Sequence, residues 1–225
     1  MSDPSPVPPE ELSLAGVSAR DGYRLMTDLI APRPIAWVSS LSAQGRSNLA
    51  PFSYYQAVCS SPPMVVISVG WLSDGRPKDT LANVLETGEL TINHVSEPLA
   101  EVMNATSAAY PRGISEWQAC KIAAVPARVV APARVAGALA GFECRLNHAI
   151  PLGHTAKGTP SSTLLILELI HAWVAPSLLQ RDDRGNLLPI DPAKLTAVAR
   201  MGGNAYAHSR DTFELPRPVY TPDKP

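Results

Sequence analysis

Pro34-Ile35-Ala36-Trp37-Val38-Ser39-Ser40, then Ser42-Ala43-Gln44-Gly45-Arg46, then Asn48-Leu49-Ala50-Pro51-Phe52-Ser53 is the stretch that decides the fold. The first run is short, apolar and rich in strand formers. The middle five residues read as a hairpin turn, with Gly45 supplying positive φ. The chain then returns as a second strand, Asn48 to Val58, interrupted at Pro51. Two strands joined by so short a turn pair antiparallel.

Downstream of this hairpin, Pro62-Pro63 opens a third strand, Met64 to Val69, apolar at nearly every position. Such a run predicts burial on both faces. Asp79 to Thr87 changes period: Leu81, Val84 and Leu85 recur at i, i+3, i+4, and Gly88 stands as the stop of a short helix. Leu90 to Val95 returns to strand. Ser96 reads as the N-cap of another short helix, with Leu99, Val102 and Met103 on one face. Ser115 to Lys121 reads as a further short helix. Ala127 to Val135, Leu139 to Ile150 and Thr163 to Val174 are long strands separated by Gly/Pro turns. Asp191-Pro192 opens a last helix, Ala193 to Val198. Cys59 falls on a strand and is expected as a small buried side chain. A β-rich centre with few short helices and no βαβ alternation predicts a mainly β, antiparallel barrel. It argues against a doubly wound nucleotide fold.

The 225 residues suit one domain, with a flexible N-terminal arm over 1–19 and an extended Pro-rich tail over 216–225. Lys+Arg 19 against Asp+Glu 20 leaves a net charge of −1, so no global basic field exists to hold nucleic acid or an anionic membrane. Any anionic ligand has to be met by a local arrangement. The apolar runs have strand length, too short to span a bilayer. Cys59, Cys120 and Cys144 are far apart, with no zinc spacing among them. Their odd number and the lack of a secretory leader lead to the expectation of reduced thiols in a cytoplasm.

Three segments carry chemistry. Gly75-Arg76-Pro77-Lys78-Asp79-Thr80 stands directly before the first helix. A helix start presents unpaired N–H groups and the positive end of the helix dipole. With Arg76, Lys78 and the Thr80 hydroxyl added, it reads either as a phosphate site or as a capped surface helix with two solvated cations. Ser39-Ser40, Ser47-Asn48, Ser53 and Ser60-Ser61 lie on or beside the first two strands. They read either as hydrogen-bonding groups for a polyol or heteroaromatic edge, or as strand ends and turns. Arg200-Met201-Gly202-Gly203-Asn204-Ala205-Tyr206 reads as a close backbone approach flanked by a cation and an aromatic, or as a helix C-cap and loop. No His/Asp pair or Ser/His/Asp order stands out, and no residue is assigned as catalytic.

Taken in order, these segments resemble the flavin reductase-like family of FMN-binding split barrels. The resemblance is carried by Arg33-Pro34-Ile35-Ala36-Trp37-Val38-Ser39-Ser40, Asn48-Leu49-Ala50-Pro51-Phe52-Ser53, Ser61-Pro62-Pro63 and Arg76-Pro77-Lys78-Asp79-Thr80. Asn104-Ala105-Thr106-Ser107, Tyr110-Pro111 and the late Arg200–Tyr206 motif continue it, over residues 20–215. Each motif is weak alone; their order is strong. The resemblance implies a six-stranded antiparallel Greek-key split barrel, a homodimer, and FMN near the subunit interface, reduced by NADH or NADPH. Carried over by position, Ser39 and Ser40 would lie beside the isoalloxazine. Asn48, Leu49, Ala50 and Ser53 would contact the ring and ribityl chain. Ser60 and Ser61, with Lys78 and Thr80, would approach the phosphate, and Arg200 and Tyr206 would close the site. The same family would hand electrons to a flavin-dependent monooxygenase or another acceptor. A different reading is an FMN-binding electron-transfer protein without nicotinamide activity of its own.

Overall fold

The computed structural model describes residues 9–111 and 113–220. Of the expected arm and tail, residues 1–8 and 221–225 lie outside the described residues. Along the chain, α1 (Ala19–Leu29) precedes four strands, β1 (Ala36–Leu41), β2 (Ser47–Phe52), β3 (Tyr55–Ser60) and β4 (Pro63–Gly70). Then come α2 (Asp79–Thr87), β5 (Glu89–Asn93), α3 (Ala100–Ala105) and α4 (Glu116–Ala119). Two short strands, β6 (Ala124–Val125) and β7 (Arg134–Val135), pair with each other. The long β8 (Ala140–Leu152) and β9 (Ser162–Val174) follow, then α5 (Pro192–Leu195) and a last short pair, β10 (Val198–Arg200) and β11 (Tyr206–His208).

Seven strands form one antiparallel sheet in the order β2-β1-β5-β8-β9-β4-β3. Its two edge strands, β2 and β3, are consecutive in sequence and separated only by Ser53 and Tyr54. The sheet therefore curls back on itself through that bend, and the Ser68 amide donates to Tyr54 O at 2.9 Å beside it. The resemblance implied six strands; seven are found, because Asn48 to Val58 is two strands, not one, while the strand read over Ala127 to Val135 takes no part in this sheet. The break falls at Ser53-Tyr54. Pro51 sits inside β2, which tolerates it as a sheet edge.

Side chains alternate across β1, so one strand feeds two cores. Ala36 and Val38 join Val65, Ile67, Val69, Leu81 and Leu167 inside the curled sheet. Trp37 points the other way and packs with Leu49, Val95, Met103, Trp117 and Val198. Strand β4 does not have two buried faces. Val65, Ile67 and Val69 are buried, whereas Met64, Val66 and Ser68 are half-buried, the last two beside an open groove that Met26 and Tyr54 also line. Cys59 is exposed rather than buried, because β3 is a sheet edge.

Ala127 to Val135 is not a strand beyond its last two residues. Pro126 and Pro132 remove ladder donors, and the buried Glu143 carboxylate takes the amides of Arg128 (2.9 Å) and Val129 (2.6 Å) instead. A side chain holds this loop where a neighbouring strand was expected. The α1 helix has no sequence-stretch signal to match it: only Thr27 on it is buried. It is fixed from outside by Arg33, whose guanidinium donates to Thr27 O, Ile30 O (2.6 Å) and Met201 O (2.9 Å). Ser96 makes no side-chain cap; a 3₁₀ turn, Glu97–Leu99, precedes α3. The expected helix over Ser115 to Lys121 contracts to α4. Asp191 does cap α5, accepting the Ala193 amide at 2.9 Å, but the helix ends at Leu195, where Thr196 takes left-handed φ.

Candidate functional site

The start of α2 is tied to the β1–β2 hairpin by a buried polar net. Asn48 Nδ2 donates to Thr80 Oγ1 at 2.8 Å and to Ser40 Oγ at 3.4 Å, and Asn83 Nδ2 donates to Ser40 Oγ at 3.1 Å. These four side chains are buried, so each polar atom needs a partner there. The far end of α2 stops at Gly88 in the left-handed conformation, as the sequence predicts. At the near end, Lys78 is the N-cap residue and makes no side-chain cap bond. An ammonium has no acceptor, so Lys78 leaves the first-turn amides to another acceptor. Just upstream, Arg76 pairs with Asp74 at 2.7 Å on the surface, and its hydrogen bond holds the Asp74 carboxyl below the usual carboxylate range.

Two cavities open along β2. One, of about 540 Å³, is lined by Asn48, Ala50, Arg76, Lys78 and Thr80 from one side and Tyr110 from the other. The second, of about 480 Å³, is lined by Ser53, Asn104, Arg200, Asn204 and Tyr206. Both share Pro51, Phe52 and Ser107, so they adjoin as two halves of a cleft along β2. Each half alone is within the size of pockets that hold small molecules and cofactors.

The far end of the cleft is built by the β10–β11 pair, which sets Arg200 opposite Tyr206. The Arg200 guanidinium lies 4.6 Å from the Tyr206 ring centroid and donates to Gly203 O. Tyr206 Oη donates to Asn104 Oδ1 at 2.9 Å, which joins this end to α3. Arg33 and Arg200 exchange backbone hydrogen bonds of 3.0 and 2.8 Å. Midway, Glu116 walls the α2 half. Its carboxylate accepts the Leu49 amide at 2.9 Å, and burial pushes its pKa up. Sequence reasoning placed Glu116 on a short helix and gave it no role; its only signal was an acid next to Trp117, the one large apolar residue of that helix.

The flavin reductase like domain family matches residues 29–188. The chain belongs to the flavin reductase-like family. An uncharacterized protein of Halalkalibacterium halodurans is 36% identical over 214 residues, covering 95% of this chain and 99% of its relative. Among solved structures, nitrilotriacetate monooxygenase component B from Bacillus cereus is 32% identical, with a TM-score of 0.85 over 93% of this chain and 100% of that one. A split barrel domain protein of Shewanella frigidimarina shares the fold at 22% identity, with a TM-score of 0.75 over 91% and 96% of the two chains.

In this flavin reductase-like chain, the cleft gathers Asn48, Ala50, Ser53, Lys78, Thr80, Arg200 and Tyr206. It does not gather the other five. Ser40 is fully buried behind Asn48, as a support for it. Ser39 and Leu49 are paired across β1 and β2 on the face opposite Asn48. Leu49 packs in the Trp37 core, and Ser39 is buried there with its hydroxyl unpartnered. Ser60 and Ser61 are exposed at the β3–β4 turn. Pro77 is bridged to Trp71, at the other end of the eight-residue β4. At about 3.3 Å per residue that separation is roughly 23 Å. Within one chain, Ser60 and Ser61 therefore do not reach Lys78. Among the described residues no helix is long and apolar enough to cross a membrane.

Proposed function

We propose that the cleft binds FMN with its phosphate at the start of α2, and that the protein is an oxidoreductase reducing flavin with NADH or NADPH. One observation carries the reading. A lysine N-cap that cannot cap, a buried threonine hydroxyl and the first-turn amides of α2 converge on a cleft of ligand size. The donors fit a phosphate: Lys78 supplies charge, Thr80 supplies an O–H, and the helix dipole adds to both. Asn48, Ala50 and Ser53 would follow the rest of the cofactor along β2. When bound, the flavin supplies the hydride acceptor. The chain's part is to bind, orient and keep one face open to the donor.

A homodimer is part of this reading. The cleft is open, and a ligand of FMN size is usually buried over most of its surface. A second copy would complete it twice, by symmetry. Tyr23, Leu29 and Ile30 on and after α1, and Val58 on the free edge of β3, are exposed and apolar, as a covered face would be. The likeness to a monooxygenase component supports a monooxygenase partner as the consumer of reduced flavin.

The test is an absorption spectrum of the purified protein with FMN, before and after anaerobic NADH or NADPH. Yellow protein that bleaches supports the reading. Protein that stays colourless after FMN soaking and gel filtration overturns it. Yellow protein that bleaches only with a chemical reductant leaves an FMN electron-transfer protein without nicotinamide activity.

A further inference from the structure

The two halves of the cleft differ in charge. The α2 half carries Arg76 and Lys78 but also Asp79 and Glu116. The Arg200 half is lined by Ser53, Asn104, Ser107, Asn204 and Tyr206, with no carboxylate among its lining residues. Among the described residues no acid lies within ion-pair distance of Arg200. Asp28, which packs against Gly202, faces Arg24 at 3.9 Å instead.

This cation is held in place. One face of its guanidinium lies over Tyr206, one nitrogen is taken by Gly203 O, and its backbone is paired with Arg33 on both sides. A guanidinium has five N–H donors in a rigid fork, and most of them remain for the cavity it lines. Its apolar lining residues include Ile35, Phe52 and Met103, which are mostly buried in the two cores, and the Tyr206 ring is its more exposed aromatic. FMN has a single phosphate, which the proposed function places at α2, so no flavin phosphate is left for Arg200.

We propose that the Arg200 half of the cleft is the subsite of the second substrate and selects a planar ring bearing an anionic group, a carboxylate or a phosphate. This rests on the FMN reading for the word second, but not for the anion preference. Arg200 is then a specificity residue: its fork meets the anion that the ring bears. The two sources of such an anion are an aromatic acid acting as electron acceptor and the phosphate of the nicotinamide donor.

The test uses calorimetric titration of the full chain, with and without FMN, in two matched pairs. Benzoate against benzamide reads the carboxylate source; reduced nicotinamide mononucleotide against its riboside reads the phosphate source. The wild type is expected to prefer the anion in at least one pair by about 10-fold or more, as one charge-assisted contact gives. Arg200→Gln should erase that preference, and Arg200→Lys should restore part of it. The FMN affinity of both variants is titrated alongside. No anion preference in either pair, a preference that survives in Arg200→Gln, or an FMN affinity that falls by the same factor as the anion affinity overturns the proposal. Absence of FMN binding in the wild type, with the anion preference intact, overturns the proposed function and leaves the subsite standing.

Discussion

The side-chain amide of Asn48 donates to the Thr80 hydroxyl across 2.8 Å, with both residues buried. This bond locks the second strand to the first turn of α2. It fixes the direction in which that turn presents its amides. Asn48→Ala removes the donor to the buried Thr80 hydroxyl and leaves Ser40 with Asn83 alone. The expected loss is about 1–3 kcal/mol of stability, and each kcal/mol lowers Tm by roughly 2–4 °C in a chain of this length. Differential scanning calorimetry reads it, and an unchanged Tm would show that the net does not anchor the helix.

Lys78 is the exposed cation at that helix start and donates no cap. Lys78→Ala should weaken FMN binding by about 1–3 kcal/mol, roughly 5- to 150-fold, the worth of a charge-assisted hydrogen bond. Riboflavin, without the phosphate, should bind wild type and variant alike. Fluorescence titration of both flavins decides it: an equal loss for both would move Lys78 from the phosphate to the ring.

The legible parts of this protein are the local ones. Gly45 announced the β1–β2 turn, the spacing of Leu81 and Val84 announced α2, and Gly88 its end. The basic residues before α2 do line the cleft. What was hidden depends on residues far away in sequence. Helix α1 is set by Arg33, which also grips Met201 across 168 positions. Ser39 and Leu49 were placed on the ligand side, but parity along a strand decides the face, and one residue's shift reverses it. Both lie on the face opposite Asn48. Ser60 and Ser61 lie at the other end of β4 from the start of α2. None of these facts is written in a short window of sequence.

Glu143 shows the same limit and gives a third prediction. It is fully buried on β8, and its carboxylate replaces a missing strand by taking the Arg128 and Val129 amides. Hydrogen bonds to a charged group contribute about 1.5–3 kcal/mol, and the orphaned amides add a further cost. Glu143→Ala should therefore lower stability by at least about 3 kcal/mol, within the range for breaking a buried network. Glu143→Gln should also be destabilised, because its NH₂ cannot accept an amide. Chemical denaturation of both variants measures this. A Gln variant as stable as wild type would mean the loop does not depend on the charge.

Glu116 yields a prediction about pH. Burial is the largest influence on it and raises its folded pKa above the ordinary 4.5, while the hydrogen bond from the Leu49 amide pulls the other way. The folded chain thus holds the Glu116 proton more tightly than the unfolded chain does. Its contribution to stability is complete below the ordinary carboxyl range and is lost as pH rises through the raised folded value. Glu116→Gln is neutral at every pH, and its side-chain oxygen can still accept the Leu49 amide. The Tm difference between variant and wild type should therefore move in the variant's favour from about pH 4 toward neutrality, and level off once the wild-type carboxyl is fully ionised. The same change removes a negative charge from the half of the cleft assigned to phosphate, so FMN should bind the variant more tightly at neutral pH. Parallel Tm curves across the series would mean that the Glu116 proton is held no more tightly in the folded chain than in the unfolded one. FMN affinity unchanged by the substitution would mean that the phosphate does not sense this carboxylate.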